Sequence, residues 1–290
     1  FVGNTVNAEN SDILAVVEQL AYFLDGKNRS QILTWLNDLL CDEPLLLDSK
    51  GNAIFRHRFL PLASFKGNLD KLYKDILQKL FNSGNSQHLY LHDLKKASGE
   101  IALSIDNNQK NAFALINVGD SDGLLKSAAE LDNVSVRQDV TSDGLFSTIN
   151  QDSSTLNLLI GSRKFAAGWS SWRVSTMSLL NMGRGEGSQI IQLFGRGVRL
   201  KGRNFSLRRT PINEMPKGLG LDKLETLNIF GIKADYMAKF REYLQDEGIQ
   251  SPDEVLQLDF PVQKKLPANV ALKTLRLKDG YKDNQKMGFK

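Results

Sequence analysis

The sequence predicts an α/β fold in which helices cover both faces of a parallel β-sheet. Two segments, AFALINVG at 112–119 and LNLLIGS at 156–162, are almost continuously apolar. Strands of this kind are buried on both faces, as the strands of parallel sheets usually are. From residue 112 onward, such segments alternate with segments of helical periodicity, and this alternation is typical of a parallel sheet flanked by helices.

Helical periodicity dominates the region before residue 111. Apolar residues recur at helical spacing in three segments: 12–24, 30–40 and 69–81. Ser11 or Asp12 is the expected cap of the first helix, because a short polar side chain can bind the free amides of a helix start. Two short strands are predicted after the third helix: 88–92 and 99–105.

Beyond residue 119 the predicted elements continue to alternate. Further strands are predicted over 134–138, 174–182 and 224–232. Further helices are predicted over 121–131, 144–150, 188–195 and 234–248. Ser188 is the expected N-cap of the helix at 188–195. Gly248 is expected to end the helix at 234–248. The polar, Lys-rich stretch that follows is interpreted as a small C-terminal extension.

Composition restricts the class of protein. Of 290 residues, 41% are hydrophobic and 24% are charged, which is ordinary for a globular protein. Cys41 is the single cysteine, so a disulfide framework is excluded and a cysteine-based zinc site is disfavoured. No apolar run is long enough to span a membrane. The chain begins FVGNTV, without Met or a leader, so we expect a piece of a longer cytoplasmic protein.

The charge is distributed unevenly. The net charge is only +4, but the span from Gly187 to Asn213 contains no acidic residue. The basic residues of this span are Arg196, Arg199, Lys201, Arg203, Arg208 and Arg209. Such a cluster indicates a phosphate-bearing partner, and an ordinary solvated loop is the alternative.

Several common sites are not predicted. The glycine-rich turn at 183–188 has Ser188 where the dinucleotide fingerprint requires its third glycine. His88 and His92 lack a third ligand at a recognisable spacing, so no metal site is predicted. The sequence contains neither the phosphate loop of a complete ATP site nor the G-x-S-x-G elbow of a hydrolase.

The segments SRKFAAGWSSWRV at 162–174 and QIIQLFGRGVRL at 189–200 resemble motifs V and VI of superfamily 2 helicases. The pattern is similar to that of restriction and phage-defence helicases of the DEAD/DEAH-box type, such as the type III restriction helicase subunits. Motif VI reads Q-x-x-G-R-x-x-R, and its four positions are filled by Gln192, Gly195, Arg196 and Arg199. The resemblance implies a RecA-like domain, the second of the two in such an enzyme.

The resemblance implies a nucleotide site shared with another domain. ATP and its Mg²⁺ would be held mainly by an N-terminal RecA-like domain of the same full-length protein. Arg199 would then be the arginine finger at the γ-phosphate, with Arg196 beside it. Gln192 would orient the pair, and Gly195 would let the backbone approach closely. A nucleic-acid-binding accessory module without ATPase activity is the alternative.

Motif V departs from the family pattern. The family commonly has Gly-x-Asp where this sequence has Gly168-Trp169-Ser170, so Ser170 replaces the carboxylate that contacts the nucleotide. Ser162 stands where the family often has a Thr that touches a nucleic-acid phosphate. The other expected backbone contacts, to DNA or to RNA, are Arg163, Lys164, Lys201 and Arg203. Trp169 and Trp172 are expected in the core, with base stacking as the alternative.

These features divide the chain into three regions. The resemblance covers roughly residues 112–245, so residues 111–248 are interpreted as the RecA-like domain. Residues 1–110 are interpreted as a partial first strand followed by a mostly helical insertion, and residues 249–290 as the C-terminal extension. If the opening FVGNTV is the first strand of the core sheet, the insertion splits that sheet.

Overall fold

The fold was analysed in a computed structural model. The residues that the structure describes are 1–3, 11–41, 43, 47, 51, 53, 55, 59–119, 121–140, 143–162, 171–181, 192–195, 197–198, 201–211, 213–216 and 221–232. The predicted helix at 234–248 and the predicted extension at 249–290 lie outside these residues, as does the start of the predicted helix at 188–195.

The elements agree closely with the predicted ones. The strands are β1 Val2–Gly3, β2 Leu89–Leu94, β3 Glu100–Ser104, β4 Ala114–Asn117, β5 Val134–Asp139, β6 Leu158–Ser162, β7 Thr176–Leu180 and β8 Asn228–Ile232. The helices are α1 Asp12–Leu24, α2 Arg29–Leu40, α3 Leu69–Leu80, α4 Asp122–Ala128 and α5 Leu221–Leu224. Ser11 caps α1, since its hydroxyl accepts a hydrogen bond from the Leu14 amide at 3.3 Å.

The eight strands that the structure describes form one sheet in the order β5-β2-β3-β4-β6-β1-β7-β8. Every neighbouring pair is parallel except the two that involve β3. The predicted α/β fold is therefore confirmed, but the sheet is mixed. The reason is the short connection between β2 and β3, because parallel strands need a crossover of a dozen or more residues.

The short strand β1 is central to the sheet. Val2 lies opposite Gly161 of β6 on one side and Leu179 of β7 on the other. The opening residues thus belong to the same sheet as strands that follow them by more than 150 positions. Strands β3 and β4 are also direct neighbours, with Ile101 opposite Ile116. The predicted boundary between residues 110 and 111 therefore falls between two paired strands.

Alternating side chains separate the two faces of the sheet. Ala114 and Ile116 of β4 belong to the cluster on the first face, which α1, α2, α3 and α4 cover. Leu115 belongs to the cluster on the second face. Two segments cover that second face: the 145–156 stretch, and the described residues Gln192–Gly195 and Gly197–Val198, named here the 192–198 segment.

The predicted short helix at 144–150 is a single 3-10 turn, Phe146–Thr148. The buried carboxylate of Glu100 accepts hydrogen bonds from the amides of Leu145 at 2.8 Å and Phe146 at 3.2 Å. This residue of β3 therefore anchors the stretch that covers the second face.

Among the helices that the structure describes, none combines the length and the apolar character needed to cross a membrane.

Acid is expected to destabilise this fold through His92. This side chain is buried on β2, and its Nε2 atom lies 2.8 Å from the Ser104 hydroxyl oxygen. Burial lowers the pKa of His92 below its ordinary 6.5, against the opposing effect of Asp139. The unfolded chain therefore binds this proton more readily. The stabilisation is complete above about pH 6.5 and is lost as the pH falls below that value, by at most about 1.4 kcal/mol per pH unit.

Urea unfolding of the parent chain and of His92→Gln between pH 5 and 8 tests this prediction. The variant should lose less free energy of unfolding on acidification. Every other titrating group is common to both proteins, so their difference isolates His92. Equal losses in the two proteins would contradict the assignment.

Candidate functional site

The connections that leave β1 and β7 go to opposite faces of the sheet. These strands are neighbours. After β1 the chain forms α1 on the first face, whereas after β7 it reaches the 192–198 segment on the second face. A crevice forms outside the carboxyl ends of parallel strands at such a switch point, and ligands of open α/β sheets bind there. The carboxyl edge at β6, β1 and β7 is therefore the candidate site.

Close contacts fix the backbone at this edge. Gly3 ends β1, and a Cβ atom added there would lie 2.7 Å from the Cβ of Asp12. Asn181 follows β7 with a φ of 48°, and its side-chain amide donates a hydrogen bond to the Asp12 carboxylate. The ends of β1 and β7 are thus joined to the start of α1. Because Ser11 and Asp12 are acceptors, cations for a phosphate would have to come from other segments.

The motif V segment begins at this edge. Ser162 is the last residue of β6, and it lies opposite Gly3 in the register with β1. The remaining predicted residues of the motif, Arg163, Lys164, Gly168 and Ser170, lie outside the residues that the structure describes. What the structure establishes is the position of the backbone from which this segment starts, next to the switch point.

The 192–198 segment is anchored by its apolar residues. Leu193 and Phe194 are buried in the cluster on the second face. Gly197 is also buried, and a Cβ atom there would lie 2.8 Å from Leu227 Cδ2 and 2.9 Å from Met177 Cε. The backbone therefore packs tightly against β7 and the residue that precedes β8.

The polar motif positions of the same segment face solvent. Gln192 and Gly195 are exposed, and a Cβ atom at Gly195 would have no heavy atom within 4 Å. Packing within the chain therefore does not require a glycine at this position. Arg196 and Arg199 lie outside the described residues. In the described part of the segment, Leu193, Phe194 and Gly197 are buried, and Gln192, Gly195 and the apolar Val198 are exposed.

The basic stretch beyond this segment forms an exposed loop. Lys201 is exposed, and its ammonium nitrogen lies 5.9 Å from the centroid of the Phe205 ring. Arg203 begins a 3-10 turn, Arg203–Phe205. Phe205, which is 72% exposed, was not among the residues predicted to form the site. The available signal was an aromatic residue within an acid-free, basic span.

The expectation of core packing is wrong for Trp172, which is 41% exposed. Trp169 lies outside the described residues.

A large cavity lies away from the switch point. It has a volume of about 770 Å³ and is lined mostly by apolar side chains at the amino ends of β1, β6 and β7. Its one arginine, Arg173, donates hydrogen bonds to the carbonyls of Ile149 at 3.0 Å and Leu156 at 2.8 Å. This guanidinium therefore serves the fold. We give the carboxyl edge more weight than the cavity, because the cavity lining is mostly apolar and its arginine is held by backbone carbonyls.

His88 and His92 also serve the fold. His88 lies 3.0 Å from the Asn133 side-chain oxygen through Nδ1 and 2.8 Å from the Ser135 hydroxyl through Nε2. Within the described part of the chain, no group of three His, Cys, Asp or Glu side chains is arranged to hold a metal ion.

Comparisons of this chain with protein families, with curated protein sequences and with solved structures gave no significant match. The described residues show an α/β fold with a mostly parallel eight-stranded sheet, whose switch point lies between β1 and β7.

Proposed function

We propose that this chain is the C-terminal RecA-like half of an ATP-dependent nucleic-acid helicase or translocase. The observation that carries the proposal is the division of the 192–198 segment into two faces. Its apolar residues Leu193 and Phe194 are buried, while the motif residues Gln192 and Gly195 are open to a partner. An arginine finger requires such a division, because it must be fixed by its own domain and presented to another.

Helical spacing extends this argument to the arginines. At 100° per residue, positions 192, 195, 196 and 199 share one face of a helix, and positions 193, 194 and 197 share the opposite face. The described residues of the second group are buried, while Gln192 and Gly195 of the first group are exposed. The same spacing predicts that Arg196 and Arg199 share the side of Gln192. The pattern supports a cationic surface directed away from the core of this domain.

The sheet supports the same proposal from a second direction. The motif V segment starts at Ser162, directly beside the end of β1, where the switch point favours ligand binding. In the proposed enzyme, Ser162, Arg163 and Lys164 would contact the nucleic-acid backbone here. Gly168 and Ser170 would lie near the nucleotide. A loop that contacts both ligands can couple hydrolysis to movement along the strand.

ATP and Mg²⁺ would be held mainly by an N-terminal RecA-like domain outside these 290 residues. Hydrolysis places negative charge on the γ-phosphoryl oxygens, and a guanidinium inserted from the second domain neutralises it. Arg199 would provide this group, and Arg196 would bind phosphate beside it. The open space at Gly195 permits close approach of the other domain. The absence of acidic residues from Gly187 to Asn213 suits such a phosphate-facing surface.

We expect the 290-residue chain alone to hydrolyse ATP negligibly, and the full-length protein to show hydrolysis stimulated by DNA. The physical reason is that the chain contributes charge to a nucleotide that another domain binds. Phosphate release measured with and without DNA tests both statements. Steady turnover by the chain alone, abolished by Arg199→Ala, would contradict the half-site proposal.

The same assay tests the alternative function. The substitution of a serine at position 170 for the usual motif V carboxylate favours a nucleic-acid-binding module of a restriction or defence complex that lacks ATPase activity. A full-length protein that binds DNA but hydrolyses no ATP in its presence would support this alternative. DNA-stimulated hydrolysis would exclude it.

A further inference from the structure

The segment Lys201–Thr210, named here the 201–210 loop, displays aromatic, aliphatic and cationic side chains to solvent. Phe205 is 72% exposed and Leu207 is 58% exposed. Lys201 and Arg208 are also exposed. No acidic residue lies between Gly187 and Asn213, so the loop has no internal carboxylate to neutralise these cations. A single exposed apolar residue is common, but this combination in one short loop requires an explanation.

The loop has a defined shape that directs Phe205 outward. The Gly202 amide donates a hydrogen bond to the Ser206 carbonyl at 3.0 Å, which closes a tight turn. Within the turn, Asn204 and Phe205 have φ values of 58° and 57°. Asn tolerates this left-handed region, but a bulky residue such as Phe rarely adopts it. Strained backbone of this kind concentrates at functional sites.

The base of the loop is fixed to the domain. The Thr210 amide donates to one carboxylate oxygen of Glu225 at 2.9 Å, and the Thr210 hydroxyl donates to the other at 2.6 Å. These hydrogen bonds lower the pKa of Glu225, so the carboxylate is ionised at neutral pH. The loop is thus a protrusion held at its base by a charged acceptor.

We propose that the 201–210 loop binds single-stranded nucleic acid, with Phe205 stacking on an unpaired base and Lys201 and Arg208 contacting the flanking phosphates. This proposal deepens the proposed function and rests on it. The Lys201 ammonium lies 5.9 Å from the Phe205 ring centroid, so one side chain for a phosphate and one for a base are adjacent. Aromatic stacking combined with backbone cations is how sequence-independent single-strand binding is achieved.

The composition of the loop favours a single strand over the other anionic partners. Duplex bases are already stacked, so a duplex would use the cations but not the ring. Membrane insertion relies on a continuous apolar face. Here polar Asn204 and Ser206 flank the exposed ring of Phe205.

Fluorescence anisotropy with a labelled oligo-dT tests the proposal on the intact chain. Phe205→Ala should weaken binding by about 5–150-fold, and Phe205→Trp should retain it, with quenching of the added tryptophan emission. Lys201→Ala should lower the slope of log affinity against log salt by about 0.7. Val140→Ala is the matched control, because Val140 is a 66% exposed apolar residue outside the loop and should leave the affinity unchanged.

The outcomes separate this inference from the proposed function. Oligo-dT binding that Phe205→Ala leaves unchanged would overturn the inference and leave the helicase proposal intact. An equal loss of affinity for a blunt duplex would also overturn it, since stacking on an unpaired base predicts a loss confined to single strands. Binding to vesicles of anionic phospholipid that Phe205→Ala abolishes, without oligo-dT binding, would identify a membrane contact and would count against both proposals.

Discussion

In the proposed enzyme, replacement of Arg199 by alanine is expected to lower the DNA-stimulated ATPase rate of the full-length protein by about 10³–10⁵-fold. The magnitude is that of an arginine finger, which neutralises charge that develops on the γ-phosphoryl group only in the transition state. The effect should therefore appear in kcat, with a smaller change in the KM for ATP. A residue that merely bound the nucleotide would change KM instead.

Arg199→Lys provides the conservative test. Lysine keeps the positive charge but lacks the planar fork of donors that fits two phosphoryl oxygens at once. We expect it to recover only a small part of the lost rate. Arg29→Ala is the matched control, because Arg29 of α2 forms a surface ion pair with Asp70 at 2.7 Å, on the face of the sheet opposite the 192–198 segment. Its kcat should equal that of the parent protein.

Unchanged stability must accompany the loss of activity. Since Arg199 is proposed to face another domain, its removal should leave the thermal midpoint of unfolding within about 1–2 °C of the parent value. A normal kcat for Arg199→Ala in a folded protein would contradict the assignment of the finger. If Arg196→Ala lowers kcat by this amount and Arg199→Ala does not, the finger is Arg196.

Local features of the fold were predictable from the sequence. The predicted range 12–24 is the observed range of α1, because its apolar spacing is regular and Ser11 caps it. The predicted range 69–81 is observed as Leu69–Leu80, where Asn68 caps the helix through the Lys71 amide. These signals lie within a few residues of the feature that they specify. The same reasoning applies to the apolar runs that became β4 and β6.

The order of the strands was not predictable in the same way. Strand β1 has only two residues, and it lies between β6 and β7, which follow it by more than 150 positions. Pairing at such distances is decided by packing of the whole chain and has no local signature. The antiparallel direction of β3 has a local cause, which is the short connection between β2 and β3.

The candidate site has local and non-local parts. The Q-x-x-G-R-x-x-R spacing selected the 192–198 segment as a candidate, and Gln192 and Gly195 are exposed there; the roles proposed for them stay predictions. Phe205 was missed because exposure in an irregular loop leaves no periodicity in the sequence. Its orientation depends on the left-handed backbone at two consecutive residues, which the residue types alone do not indicate.

A methyl group at Gly99 is expected to lower the free energy of unfolding by about 2–6 kcal/mol. Gly99 has a φ of +83°, and an added Cβ atom would lie 1.9 Å from the Val118 carbonyl oxygen. The obstructing atom belongs to the backbone, so a side-chain rotation cannot relieve the clash. The Val118 amide also donates to the Gly99 carbonyl at 2.9 Å, so the substitution would disturb the pairing of β3 with β4.

This prediction also tests whether the region before residue 111 folds with the remainder of the sheet. Because β3 and β4 are paired, chemical unfolding of Gly99→Ala should remain a single transition with a lower midpoint. Gly123→Ala is the control, since an added Cβ there meets no atom within 4 Å and alanine favours the helix. Gly123→Ala should leave the free energy of unfolding unchanged or raise it by up to about 1 kcal/mol.

Two outcomes would contradict this prediction. An early transition of the N-terminal region alone in Gly99→Ala would mean that residues 1–110 fold independently, in spite of the shared sheet. A midpoint equal to that of the parent chain would mean that Gly99 does not make the close contact on which the β3–β4 pairing depends.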